Sequence, residues 1–140
     1  MSALLTPQVY LDSCATTPPA PEVLEAMAAV HGEAWANPSS LHGFGLAAGE
    51  RLERSRQGIA EILGCTTNQV IFTSGGTESI HMALLGVAAD GPPGRLVISS
   101  VEHPATVAAA TQLRGRGWQV ERCPVDQLGV VDLEALELLL

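Results

Sequence analysis

The chain contains no lysine. All seven basic side chains among its 140 residues are arginines: Arg51, Arg54, Arg56, Arg95, Arg114, Arg116 and Arg122. Within these residues a lysine amine is therefore excluded as nucleophile or base. Basic charge is scarce overall, and the net charge of −8 excludes nucleic acid as a partner, because a phosphate-binding surface needs clustered Lys and Arg. Aromatic residues are only 4% of the chain. Cysteine is sparse and odd in number: Cys14, Cys65 and Cys123 are widely spaced and form no Cys-x-x-Cys pair. That pattern fits reduced thiols in a cytoplasmic protein, and neither a disulfide framework nor a zinc site. No apolar run approaches the ~20 residues of a membrane helix. The opening, Met1 to Tyr10, has neither a basic region nor a long apolar stretch, so no secretory signal and no membrane partner are expected.

Apolar side chains, by contrast, are plentiful. Hydrophobic residues make up 46% and charged ones 16%, enough for one ordinary domain with its own core. Val9-Tyr10-Leu11 reads as a brief strand closed by Asp12, and Thr16 to Pro19 as a rigid connector. A helix is expected from Pro21, a good first-turn residue, with Glu22 and Glu25 near its positive end. Val23, Met27 and Val30 share one face of it. The turn residues Asn37-Pro38-Ser39-Ser40 stop that helix. A second helix is expected from about Gly45 to Leu63, with Leu52, Ile59 and Leu63 as its apolar stripe, a charged opposite face, and Gly64 as its end.

The second half alternates short apolar runs with helical patterns. Val70 to Thr73 reads as a buried strand, Ser74-Gly75-Gly76 as a tight turn, and Thr77 to about Ala89 as a helix. After the loop Gly91 to Gly94, Leu96-Val97-Ile98 reads as a strand, followed by Glu102-His103-Pro104 and a helix to about Leu113. Trp118 to Glu121 is a third strand, Asp126 to Gly129 a turn, and Asp132 the N-cap of a last helix. The order predicts an α/β fold: a mostly parallel sheet with flanking helices. The apolar end, Leu136 to Leu140, reads either as a helix docked on the core or as a chain cut inside a larger domain, and the second is the expectation.

Two segments carry candidate chemistry. Phe72-Thr73-Ser74-Gly75-Gly76-Thr77-Glu78-Ser79 lies between a strand and a helix. A helix start offers unpaired N–H groups and partial positive charge, suited to a phosphate. Gly75 and Gly76 let the backbone approach, and Ser74 and Thr77 add hydroxyls. An ordinary capped strand-to-helix turn has the same residues, so both readings stand. A P-loop is excluded by the lack of Gly-Lys-Ser/Thr, and a dinucleotide fold by the lack of Gly-x-Gly-x-x-Gly. The second segment is Glu102-His103-Pro104, just past the next strand. Ligands of open α/β sheets sit beyond the carboxyl ends of strands. His103 is thus either a ring that stacks on a cofactor or moves protons, or a water-facing histidine at a helix start. His31 and His81 read as surface or core-edge residues on helices. His42, in the loop Asn37 to Gly45, is of more interest because polar loop residues often line a site.

In register, these segments resemble cysteine desulfurases. The similarity rests on Leu11-Asp12-Ser13-Cys14-Ala15-Thr16-Thr17-Pro18, Asn37-Pro38-Ser39-Ser40-Leu41-His42-Gly43-Phe44-Gly45, Phe72 to Ser79, and Val101-Glu102-His103-Pro104. Pro124-Val125-Asp126 to Gly129 and Val131 to Glu134 continue it. The resemblance implies the N-terminal portion of a fold-type-I, pyridoxal 5′-phosphate (PLP) enzyme of the class-V aminotransferase family. Residues 1–15 would join a small domain, and 16–140 would form the first part of the PLP-binding large domain. It implies L-cysteine as substrate, L-alanine and a persulfide as products, a sulfur-acceptor protein that feeds iron–sulfur or thio-cofactor synthesis, and a homodimer.

By the same resemblance, Gly76 and Thr77 hold the cofactor phosphate, with Ser74 and Gly75 beside them. His103 stacks on the ring and assists proton transfer. The Ala15 and Asn37 segments lie near the substrate mouth or the dimer interface, and His42 is placed with Ala15 and Asn37 on the substrate side. Ala36 departs from a common glycine, and Ile80-His81 from a polar pair. The family's cofactor-bearing lysine, its ring-pairing aspartate, its substrate-binding arginine and its mobile cysteine match no residue here, so Cys14, Cys65 and Cys123 read as structural. These residues alone are expected to be inactive. The rival readings are a non-catalytic homologue that pairs with a full-length desulfurase, and a related aminotransferase or selenocysteine lyase.

Overall fold

The computed structural model describes residues 9–140. Expectations that fall on residues 1–8, including most of the proposed N-terminal segment, lie outside the described residues. The chain divides into two compact units, Met1–Val70 and Ile71–Leu140.

The first unit is helical. Helix α1 spans Pro21–Glu33 and opens with proline at its first turn, where a missing N–H costs nothing. Helix α2 spans Gly43–Leu63, two residues longer at its start than the apolar stripe implied, and ends at Gly64. The charged face of α2 is laced by Arg54–Glu50 at 2.5 Å and Arg56–Glu53 at 3.1 Å. A single 3-10 turn, Thr67–Gln69, follows, and the Arg56 guanidinium donates to the carbonyl of Val70. Val23, Met27 and Val30 do share one face of α1, and they line a groove with Arg51 and Ser55 of α2.

The expected strand at Val9–Leu11 does not form. Val9 and Leu11 are exposed, and the Tyr10 hydroxyl instead reaches the carbonyls of Asp12 at 2.8 Å and Thr16 at 3.0 Å. A strand needs a paired neighbour, and a three-residue run without one takes up turn contacts.

The second unit is the α/β layer. Helix α3 spans Gly76–Val87, strand β1 Arg95–Ser99, helix α4 Pro104–Gly115, strand β2 Gln119–Cys123 and helix α5 Leu133–Leu139. Strands β1 and β2 pair in parallel, from Arg95 opposite Gln119 to Ser99 opposite Cys123, with α4 as the crossover. Alanines Ala105, Ala109 and Ala110 on α4 are buried and let the helix approach the sheet closely, and Leu113 and Ile98 fill the interior. Asp126 Oδ1 accepts the N–H groups of Leu128 and Val130, closing the predicted turn, and Asp132 caps α5.

Val70 to Thr73, expected as a buried strand, are not one. Ile71 is 65% and Phe72 43% exposed, and among the described residues the sheet consists of β1 and β2 alone. The apolar run supplies strand propensity, but propensity alone does not make a strand.

Candidate functional site

Connection order and packing set the ends of the second unit. The last turns of α3 (Ala83, Leu84, Val87) line an apolar recess of about 330 Å³ with Arg95, Leu96 and Trp118, at the start of the strands. A helix of 12 residues then runs back roughly 18 Å along the layer. Its first residue therefore lies toward the carboxyl end of β1. Helix α4 begins at that same end, a few residues after Ser99, and α3 packs against α4. The starts of α3 and α4 thus share one edge, the edge where open α/β sheets bind ligands. Ser74, Gly75, Gly76, Thr77 and His103 all sit there.

The start of α3 is open. Its N-cap is Gly75, with φ 158° and ψ −178°, a backbone conformation that glycine adopts without strain and that brings no capping side chain. The N–H groups of Gly76 and Thr77 are first-turn donors with no partner in the helix. A Cβ placed on Gly75 or Gly76 would meet nothing within 4 Å, so there is room beside those donors. The Thr77 hydroxyl stands at the second helical position.

Ser74 is differently placed. Its N–H and its hydroxyl both donate to Glu78 Oε2, at 2.6 and 2.7 Å. These bonds, the backbone one first, hold the Glu78 carboxyl below the usual carboxylate range. Thr73 and Ser79 complete the turn through their hydroxyls, 2.8 Å apart. Sequence reasoning missed Glu78, although a glutamate at the third helical position is a known capping signal. Here the N-cap has no side chain, and the carboxylate reaches one residue further back.

His103 is the N-cap of α4, and its Nδ1 accepts the N–H of Ala105 at 3.1 Å. An accepting Nδ1 carries no proton, so the neutral ring bears its proton on Nε2. The ring is exposed. His81 is tied to the carbonyl of Thr77 at 2.9 Å, within its own helix.

The remaining candidates belong to the first unit, in two separate loops. Ala15 lies in the turn Asp12 to Thr16, its N–H donating to the Asp12 carbonyl at 3.1 Å. Asn37 organises the loop before α2: its Oδ1 accepts from Ser39 N–H at 2.9 Å, and its carbonyl accepts from Ser40 N–H at 3.0 Å. His42 caps α2 by accepting the Gly45 N–H on Nδ1 at 3.3 Å. A capping role was not read from the sequence for either His42 or His103.

The donor set suits a phosphate ester. Gly76 and Thr77 present free N–H groups and a hydroxyl at the positive end of a helix, with open space before them.

Comparison with known proteins agrees with this architecture. Residues 9–140 match the family described as aminotransferase class-V. A NifS/IcsS protein homolog of Lactobacillus delbrueckii subsp. bulgaricus is 44% identical over 131 residues, which cover 92% of this chain and 34% of that protein. The cysteine desulfurase IscS of Dictyoglomus turgidum is 43% identical over 132 residues, covering 93% of this chain and 34% of that protein. A solved NifS-like protein superposes with a TM-score of 0.80 at 34% identity, over 90% of this chain and 35% of that one. The chain thus spans about a third of the length of the relatives it matches.

Proposed function

The chain belongs to the class-V aminotransferase family, and on that premise we propose that it forms the phosphate- and ring-binding part of a PLP-dependent cysteine desulfurase. The family is PLP-dependent. In a protein of this kind L-cysteine is converted to L-alanine, and its sulfur leaves as an enzyme-bound persulfide for iron–sulfur cluster or thio-cofactor synthesis. The observation that carries this reading is the uncapped start of α3, with its free N–H groups at Gly76 and Thr77, set at the same sheet edge as His103.

Each residue has a defined task. Gly76 and Thr77 bind the phosphate through two backbone N–H groups and one hydroxyl, and Gly75 keeps the approach clear. When bound, the cofactor supplies the electron sink for cleavage at the substrate carbon. His103 would be the residue that meets the cofactor ring. Its Nδ1 is held by Ala105, so Nε2 is the atom that takes up or releases a proton. Ala15, Asn37 and His42 line the substrate side. Residues 1–15 join a small domain, and 16–140 belong to the large domain. A second copy of the protein and a cytoplasmic sulfur-acceptor protein are the expected partners. Among the described residues, no helix is long and apolar enough to cross a membrane.

The second reading is a non-catalytic homologue that acts beside a full-length desulfurase. Both readings expect these residues alone to release no alanine from cysteine beyond what free PLP yields. They part when the chain is mixed with a full-length desulfurase: co-elution on size-exclusion chromatography supports the non-catalytic partner. The cofactor reading is tested by adding PLP to the isotopically labelled chain. Amide signals of Gly76 and Thr77 and the His103 ring protons should shift together, and unmoved signals at all three would overturn it.

A further inference from the structure

The tie between Ser74 and Glu78 is not needed to start the helix, since Glu78 leaves the first-turn donors of α3 untouched and reaches back past the N-cap. It fixes the residue before Gly75 from both its N–H and its hydroxyl. We infer that Glu78 is a positioning residue of the phosphate site: it locks the Ser74–Gly75 turn so that the Gly76 and Thr77 N–H groups stay aimed outward, and it withdraws Ser74 from the phosphate's donor set. This inference rests on the phosphate-binding reading above.

One carboxylate oxygen accepts both Ser74 donors, which closes a short ring across the five residues Ser74 to Glu78. Thr73 and Ser79 add a second closure over the same turn, their hydroxyls meeting each other and the Gly75 carbonyl, at 3.2 Å from Thr73 and 3.3 Å from Ser79. Gly75 itself has the widest conformational freedom of any residue, so without these ties the turn samples many orientations and binding has to freeze it. Glutamate acts here through Ser74 and touches no ligand. Its negative charge opposes a phosphate dianion nearby, so its presence is a compromise: order is gained at a cost in electrostatic attraction.

The two effects have opposite signs, which makes the assignment testable. The probe is inorganic phosphate, titrated into the labelled full chain while the Gly76 and Thr77 amide signals are followed. For Glu78→Ala, affinity should fall roughly fivefold, the scale of one or two exposed hydrogen bonds that order a turn. Glu78→Gln, whose side-chain oxygen still accepts from Ser74, should recover most of that loss. Ser74→Ala removes one bond of the pair and should fall in between, and Ser74→Ala combined with Glu78→Ala should be no worse than Glu78→Ala alone. Retained signals of β1 and α4 report that each variant is folded. Phosphate binding tighter than the native chain's in Glu78→Ala, or unchanged in both Glu78→Ala and Ser74→Ala, overturns the inference while leaving the phosphate site standing. No phosphate-dependent shift in the native chain overturns the site itself and the inference with it.

Discussion

His103 and Ala105 are joined by a bond from the Ala105 backbone N–H to Nδ1 of the imidazole, 3.1 Å long, which caps helix α4. Nδ1 serves the fold, and on the proposed function Nε2 is the atom left for chemistry. The duties separate by substitution. His103→Ala should lose the cap and about 1 kcal/mol of stability in urea unfolding. His103→Asn restores a side-chain acceptor and should recover most of that stability, without recovering the ring's contact to PLP. Equal destabilisation by both variants would mean that the cap contributes nothing.

The loop before α2 is packed against the helix it precedes. A Cβ on Gly45 would stand 2.3 Å from the Ser40 carbonyl oxygen and 2.9 Å from that of Asn37. Gly45→Ala should therefore cost about 1–3 kcal/mol, because backbone rather than a flexible side-chain tip has to move. Gly43→Ala, where a Cβ meets nothing within 4 Å, is the matched control. It should be neutral or stabilising by about 0.5 kcal/mol through reduced freedom of the unfolded chain. Urea midpoints for the pair decide the matter, and a Gly45→Ala midpoint at or above that of the native chain would contradict the close contact.

Glu78 gives a pH signature. Its folded-state ionisation is depressed by the Ser74 N–H and then by the Ser74 hydroxyl. A depressed carboxyl favours the fold above its unfolded value, and the benefit is lost as pH falls through the folded value. The Ser74 amide signal should therefore stay constant at neutral pH and change only below the ordinary glutamate range, about pH 4.3. In Glu78→Gln that step should vanish. An inflection at or above the ordinary value would rule out the tie in solution.

The cysteines should react in order of exposure. Cys123 is 2% exposed, and its thiol donates to the Asp132 carbonyl at 3.5 Å, whereas Cys14 is exposed and Cys65 half-buried. A thiol reagent should label Cys14 first, Cys65 next, and Cys123 only as the second unit opens. Mass spectrometry of the timed reaction reads this directly. A structural role thus fits Cys123, while the open position of Cys14 gives no packing reason for it.

The helix starts that carry the candidate site were legible in the chain because local rules dominate there. A glycine pair ahead of a helical pattern marks an open helix start, and a proline after His103 marks the next one, while the roles of Gly76, Thr77 and His103 came from the resemblance. The alternation of apolar runs and helices likewise determined the α/β order, and four motifs in register determined the family resemblance. Tertiary structure decided what needs partners. Whether Val70 to Thr73 or Val9 to Leu11 become strands is not decided by their residue types, and among the described residues neither is a strand. Which atoms of His42, His103 and Ser74 are already committed depends on backbone N–H groups and a carboxylate brought within 3.3 Å. Residue type announces a donor or an acceptor, but only the folded backbone settles which of them remains free for a ligand.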